Sequence, residues 1–123
     1  ITFEPLSDNI NGYYHPKEKK IVVNSTISSI QKVKTLFHEL THALLHTPKD
    51  NEPHKDLHTK EIEAESVAYT VLKHYGYDTS DYSFGYIADW SKTKELNEFK
   101  ESIDTIVSTS NQIIKELDTI LLN

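Results

Sequence analysis

The chain has 123 residues, no Cys and no Met, and a formal net charge of −6 at pH 7. Its length suits a single domain spanning 1–123, and the lack of cysteine excludes a disulfide framework and a thiolate metal site. A metal would therefore have to bind His, Asp or Glu. The acidic balance argues against direct nucleic-acid binding, and no signal peptide or membrane span is visible. We expect a cytoplasmic protein and, because the chain starts with Ile1, a domain from a longer one.

Two short β-type runs come first along the chain. Tyr13–His15 and Lys20–Asn24 are rich in aromatic and β-branched residues and are separated by polar residues, which predicts a hairpin. Ser28 or Ser29 can then cap a helix that runs from about Ile30 to His46. Apolar residues at helical spacing predict the buried side of this helix. They are Ile30, Val33, Leu36, Phe37, Leu40, Ala43 and Leu44.

This helix contains the pattern H-E-x-x-H, formed by His38, Glu39 and His42. Residues four apart on a helix rise only about 6 Å and point the same way, so both histidines can bind one zinc ion at roughly 2.0–2.1 Å. Glu39 is turned about 100° away from His38 and suits a general base that acts on water. His46, one turn further on, either lines the same cleft or is a helix-end histidine favoured by the helix dipole.

A second helix is predicted after an exposed loop over 47–58. Thr59 can cap it and Gly76 can end it. Glu61 and Glu65 fall on its core-facing side, where carboxylates rarely remain without a metal, an ion pair or a hydrogen bond. Glu63 falls on the opposite side and needs no such partner. The core-facing side of this helix therefore predicts a binding role for two acids.

A catalytic zinc usually has three protein ligands and one open position. The pattern H-E-x-x-H-x-x-G-x-x-H is excluded, because Leu45 and Pro48 stand where it requires Gly and His. We therefore assign Glu61 as the third ligand and Glu65 as an acid that orients a ligand histidine. Glu65 and Glu63 remain the alternative ligands. Two histidines and one carboxylate also suit iron or manganese.

The last third of the chain predicts packing helices. A short helix is expected over about Tyr82 to Trp90, and a long amphipathic helix starts near Lys94. The apolar residues expected to be buried on the long helix are Leu96, Phe99, Ile103, Ile106, Ile113, Leu117 and Leu121. The whole chain is thus predicted to be a small α+β domain, mostly helical, with a hairpin or small sheet before the H-E-x-x-H helix.

The sequence around the motif resembles the ImmA/IrrE family of zincin-like metallopeptidases. The resemblance lies in residues 38–46, preceded by an extended segment that ends at Ile21–Asn24, and in residues 61–68, which resemble the family's second motif. The peptidase domain of ArdC-type antirestriction proteins is still more similar. There an Ala-Glu pair takes the place of Ala64 and Glu65, and a Tyr-Ile-Ala-x-Trp stretch resembles Gly85–Trp90.

This resemblance implies a zincin-like fold in which His38, His42 and Glu61 hold zinc and Glu39 acts on water. It implies a protein or peptide substrate, a mobile-element setting, and an N-terminal single-stranded-DNA-binding domain outside this chain. The leading hypothesis is a zinc-dependent peptidase. The alternatives are a zinc-stabilised binding or antirestriction module without turnover, and a metal-free relic whose acidic surface mimics DNA.

Overall fold

The computed structural model describes residues 1–47, 56–79 and 96–121. Within those ranges the chain forms one small sheet and three α-helices, which confirms the predicted α+β, mostly helical class. The strands are β1 (Thr2–Glu4), β2 (Gly12–His15) and β3 (Lys20–Asn24), and the helices are α1 (Ser29–Leu45), α2 (Leu57–His74) and α3 (Leu96–Leu121). The chain divides into two compact units, which we name unit 1 (Ile1–His54) and unit 2 (Lys55–Asn123).

The sheet of unit 1 has the order β1-β3-β2. β2 and β3 pair antiparallel, with Gly12 opposite Val23, which confirms the predicted hairpin. β1 was not predicted. It pairs parallel with the other edge of β3, with Thr2 opposite Val22, so β3 is the central strand. Both valines of β3 are fully buried, as expected for a strand that is covered by its neighbours.

Asn24, at the end of β3, ties the surrounding loops to the sheet. Its side chain is fully buried. Its Oδ1 accepts hydrogen bonds from the backbone N–H of Leu6 at 3.2 Å, the backbone N–H of Thr26 at 3.0 Å and the Thr26 hydroxyl at 2.7 Å. Its Nδ2 donates to the carbonyl oxygen of Ile10 at 2.8 Å. One amide thus satisfies polar groups that would otherwise be left without partners where the loops meet the sheet.

Helix α1 begins where the sequence predicted and packs on β2 and β3. Ser28 is its N-cap, and the Ser28 Oγ accepts a hydrogen bond from the backbone N–H of Gln31 at 3.3 Å. The helix approaches the sheet closely at Gly12. A Cβ at that position would lie 2.6 Å from Thr35 Cγ2 and 2.6 Å from the carbonyl oxygen of Val22. The absence of a side chain at Gly12 therefore sets how closely α1 approaches the sheet.

The predicted buried side of α1 is partly wrong. Val33 is 39% exposed and Leu44 is 44% exposed. The buried residues of this helix are Thr35, Glu39 and Thr41. The hydroxyl of Thr41 donates to the carbonyl oxygen of Phe37 at 2.8 Å, so it does not need an outside partner. Counting apolar residues misplaced the buried side because small hydroxyl side chains can be buried at little cost when the helix backbone accepts their hydrogen bonds.

Helix α2 starts earlier than predicted because Asp56, and not Thr59, is its N-cap. Asp56 Oδ1 accepts a hydrogen bond from the backbone N–H of Thr59 at 2.8 Å, and Asp56 Oδ2 accepts one from the Thr59 hydroxyl at 3.0 Å. The first helical residue is therefore Leu57. The end of the helix is as predicted, since Gly76 adopts a φ of +93°, which favours glycine.

Unit 2 is built from α2 and α3, which pack against each other. The buried residues of α2 lie around nearly its whole circumference. They are Thr59, Ile62, Glu63, Ala64, Glu65, Ser66, Val67, Ala68, Val71 and Leu72. On α3, Ile106 and Ile113 are buried as predicted, whereas Ile103 is 41% and Leu121 is 66% exposed. The predicted buried side of α3 is thus right for its middle and wrong at Ile103 and Leu121.

The predicted short helix over Tyr82 to Trp90 lies outside the described residues. No helix in the described ranges is both long and apolar enough to cross a membrane.

Candidate metal centre

Helix α1 brings together the first two predicted ligands. The Nε2 atoms of His38 and His42 are 3.1 Å apart, and the ring centroids are 4.8 Å apart with the rings edge to face. Two nitrogens that bind one tetrahedral zinc at 2.0–2.1 Å would be separated by about 3.3–3.4 Å. The observed separation is close to that value. The two rings therefore already point their Nε2 atoms at a common place.

Glu39 lies between these histidines in sequence and is only 9% exposed. Helix geometry turns it about 100° from His38, so it lies beside the pair and does not extend their row. A buried carboxylate is shielded from bulk water, and electrostatic interactions are stronger in such surroundings. The side chain of Glu39 is thus buried beside the two histidine rings.

A third histidine adjoins the pair. His46 is the C-cap of α1, and its Nδ1 lies 2.8 Å from the Nδ1 of His42. The two ring centroids are 5.0 Å apart. The sequence predicted that His46 either lines the cleft or is favoured by the helix dipole. Neither alternative included a direct contact with His42. The spacing of four residues was the signal that could have identified it.

In unit 2 the three candidate acids all lie on α2. Glu61 is half-buried, Glu65 is 6% exposed, and Glu63 is 0% exposed. The prediction that Glu63 faces solvent is therefore wrong. It failed because it assumed one exposed side, whereas α2 is buried around most of its circumference. Each of these carboxylates takes part in a polar or electrostatic interaction. Burial of ionisable side chains at this density is typical of a functional or tightly bonded region.

Among the described residues, His38, His42 and Glu61 are the group of side chains that could hold a metal ion. This group consists of the same three residues that the sequence predicted as ligands. Two imidazole nitrogens and one carboxylate oxygen form the donor set of many zinc hydrolases, and the same set accepts iron or manganese. The donor set thus fits a divalent transition metal.

Comparison with known proteins identifies the family. Residues 1–88 match the Peptidase_M78 family model, described as the IrrE N-terminal-like domain. An uncharacterized protein of Bacillus anthracis is 37% identical over 100 residues, which cover 80% of this chain. The chain spans only 17% of the length of that relative. No solved structure matches the chain. The predicted ImmA/IrrE resemblance is confirmed at the level of the family, and the chain belongs to the Peptidase_M78 family of IrrE N-terminal-like domains.

Proposed function

We propose that this chain is a zinc-dependent peptidase in which His38, His42 and Glu61 hold the metal. The observation that carries the proposal is the 3.1 Å separation of the two histidine Nε2 atoms on α1. The buried Glu39 beside them and membership in a peptidase family support it. The proposal treats residues 1–123 as one metallopeptidase domain, with two ligands from α1 and one from α2.

When bound, zinc supplies Lewis-acid chemistry, which polarises the scissile carbonyl and makes a water molecule more acidic. The carboxylate of Glu39 takes the proton from the attacking water and delivers it to the nitrogen of the leaving amine. Glu65 orients a ligand histidine, because a histidine that binds a metal commonly donates its other ring N–H to a carboxylate. The burial of Glu39 keeps competing water away from the proton transfer.

The setting of this activity is also a proposal. The substrate is a protein or peptide, and the domain works in the cytoplasm as part of a longer ArdC-like antirestriction protein of a mobile element. The resemblance of residues 61–68 and 85–90 supports this assignment. A separate N-terminal domain binds single-stranded DNA, and the net charge of −6 supports the proposal that the peptidase domain does not bind DNA itself. A relative much longer than this chain is consistent with additional domains.

The metal site can be tested by elemental analysis of the purified chain after it is supplied with zinc. We expect about one zinc per chain, lost in the His42→Ala variant. The control is His74→Ala, which removes an exposed histidine from the end of α2 and should keep the metal. If the unmodified chain holds no zinc under these conditions, the proposed site is wrong.

Turnover can be tested with a peptide library prepared from a bacterial proteome and read by mass spectrometry. We expect new peptide termini with the zinc-loaded chain, and none after chelation or with His42→Ala. A chain that holds zinc but yields no zinc-dependent cleavage would favour the alternative function, in which the metal stabilises a binding or antirestriction module.

A further inference from the structure

His46 is attached to His42 in two independent ways. Its backbone N–H donates to the carbonyl oxygen of His42 at 2.9 Å, which ends helix α1. Its ring nitrogen Nδ1 lies 2.8 Å from the Nδ1 of His42, which is a short hydrogen-bond distance. His46 is half-buried, so bulk water competes only partly for this bond. The backbone hydrogen bond fixes the position of the His46 backbone. The hydrogen bond between the rings fixes the orientation of the His42 ring.

The chemistry of the imidazole ring decides which nitrogen donates. The Nε2 of His42 faces the Nε2 of His38 at 3.1 Å, so Nε2 is the atom that would bind the metal. A neutral histidine that offers the Nε2 lone pair to a metal carries its proton on Nδ1. His42 must then be the donor of the Nδ1···Nδ1 bond, and His46 Nδ1 must be the acceptor. His46 accordingly carries its own proton on Nε2.

We propose that His46 is a positioning residue for the metal centre, which acts by accepting the Nδ1–H of His42. This inference rests on the proposed function, because it requires that His42 bind a metal. Such a bond selects the metal-binding tautomer, holds the ring in the ligating orientation and increases the basicity of Nε2. If His46 orients His42, the ligand histidine that Glu65 orients is His38.

A histidine placed only for the helix dipole would behave differently. The dipole stabilises any positive charge in the last turn, irrespective of which atom carries it. The proposed bond instead needs a hydrogen-bond acceptor at the position of Nδ1. Asparagine can supply such an acceptor, because its Oδ1 occupies nearly the same place as a histidine Nδ1. Lysine supplies a charge and no acceptor. The two explanations thus predict opposite results for His46→Asn and His46→Lys.

The test measures the zinc dissociation constant of the whole chain by competition with a chromophoric chelator. We expect His46→Ala to bind zinc about 10-fold more weakly, since loss of such a hydrogen-bond partner commonly weakens metal affinity 10- to 100-fold. His46→Asn should recover most of the affinity and His46→Lys should not. His74→Ala, which removes an exposed helix-end histidine, should bind zinc as the unmodified chain does.

A second measurement separates positioning from folding. The metal-free variants should have the same thermal unfolding midpoint as the metal-free unmodified chain. If His46 had only a structural role, the substitutions that weaken zinc binding would also lower this midpoint. In addition, ¹⁵N shifts of the zinc-loaded chain should show a proton on His42 Nδ1. Equal zinc affinity in His46→Ala and the unmodified chain would overturn the inference and leave the zinc site intact. Recovery by His46→Lys and not by His46→Asn would also overturn it. Failure of the unmodified chain to bind zinc would instead overturn the proposed function.

Discussion

The two units of this chain stabilise their structures in different ways. In unit 1 the amide of Asn24 holds the central strand through directional hydrogen bonds to the neighbouring loops, at Leu6, Ser7, Ile10 and Thr26. The close approach of α1 at Gly12 adds to this. In unit 2 the helices α2 and α3 pack against each other, and their buried side chains include apolar ones such as Ile106 and Ile113. The Tyr75 hydroxyl also donates a hydrogen bond to Asp118 Oδ1 at 2.7 Å.

This difference indicates where substitutions will be tolerated. Directional hydrogen bonds and close contacts fail abruptly, because a displaced atom leaves buried groups without partners or forces atoms to overlap. Apolar packing adjusts more gradually, since neighbouring side chains can change rotamers. Unit 1 carries the paired histidines of α1, whose relative position must be accurate to fractions of an ångström for metal binding. Unit 1, which carries the histidine pair, should therefore tolerate substitutions less well than unit 2.

The largest expected effect is on catalysis. Glu39→Gln keeps the size of the side chain and removes its ability to take a proton, so cleavage of a peptide identified in the library should fall about 10²- to 10⁴-fold. Zinc content should not change. The matched control is Glu63→Gln, the same change at a buried carboxylate of unit 2, which should retain cleavage. Wild-type cleavage by Glu39→Gln would show that this buried acid does not transfer the proton in the reaction.

The next largest effect concerns the hydrogen bonds of Asn24. Asn24→Ala leaves the N–H groups of Leu6 and Thr26 and the carbonyl of Ile10 without their side-chain partner. Each buried polar group left unsatisfied costs about 1–3 kcal/mol, and partial access of water reduces the sum. We expect the free energy of unfolding to fall by about 3 kcal/mol, measured by urea denaturation. A loss below about 1 kcal/mol would contradict the difference between the units.

A smaller loss is expected when the contact between helix and sheet is crowded. Gly12→Ala places a Cβ within 2.6 Å of Thr35 Cγ2 and of the Val22 carbonyl oxygen. Overpacking of this kind typically costs about 1–3 kcal/mol of unfolding free energy. Adding Thr35→Ser removes the Cγ2 atom and should recover part of the loss, because the backbone carbonyl remains. If Gly12→Ala unfolds at the same urea concentration as the unmodified chain, the approach of α1 to the sheet is looser than described.

The smallest effect is expected in unit 2. Tyr75→Phe removes the hydrogen bond to Asp118 and leaves the apolar packing of α2 on α3 in place. Partial burial, followed by the hydrogen bond and the charge of Asp118, raises the pKa of the Tyr75 hydroxyl above its usual value. The stabilisation is therefore complete below the unfolded pKa of about 10 and is lost as the pH rises through the folded pKa. The urea midpoints of Tyr75→Phe and the unmodified chain should differ slightly at neutral pH and converge in alkali.

The sequence alone determined the local features of the site and the fold. The hairpin, the N-cap at Ser28 and the end of α2 at Gly76 each depend on residues close together in the chain. His38 and His42 lie one turn apart on the same helix, so their spacing was enough to predict that the two side chains point the same way. The ligand motif and its flanking segments also sufficed to identify the family. Features that depend on interactions between residues close together in the chain can therefore be recognised from the sequence.

Only the tertiary structure decided which sides of these elements are buried. Strand β1 forms because it pairs with β3, which lies about 20 residues away in the chain, and three residues are too short to show a pattern of their own. The exposure of Val33 and the complete burial of Glu63 likewise follow from neighbours that are distant in sequence. Periodicity states which residues share a side of a helix. Contacts with the rest of the fold decide which side is buried, and those contacts leave no signal in the helix itself.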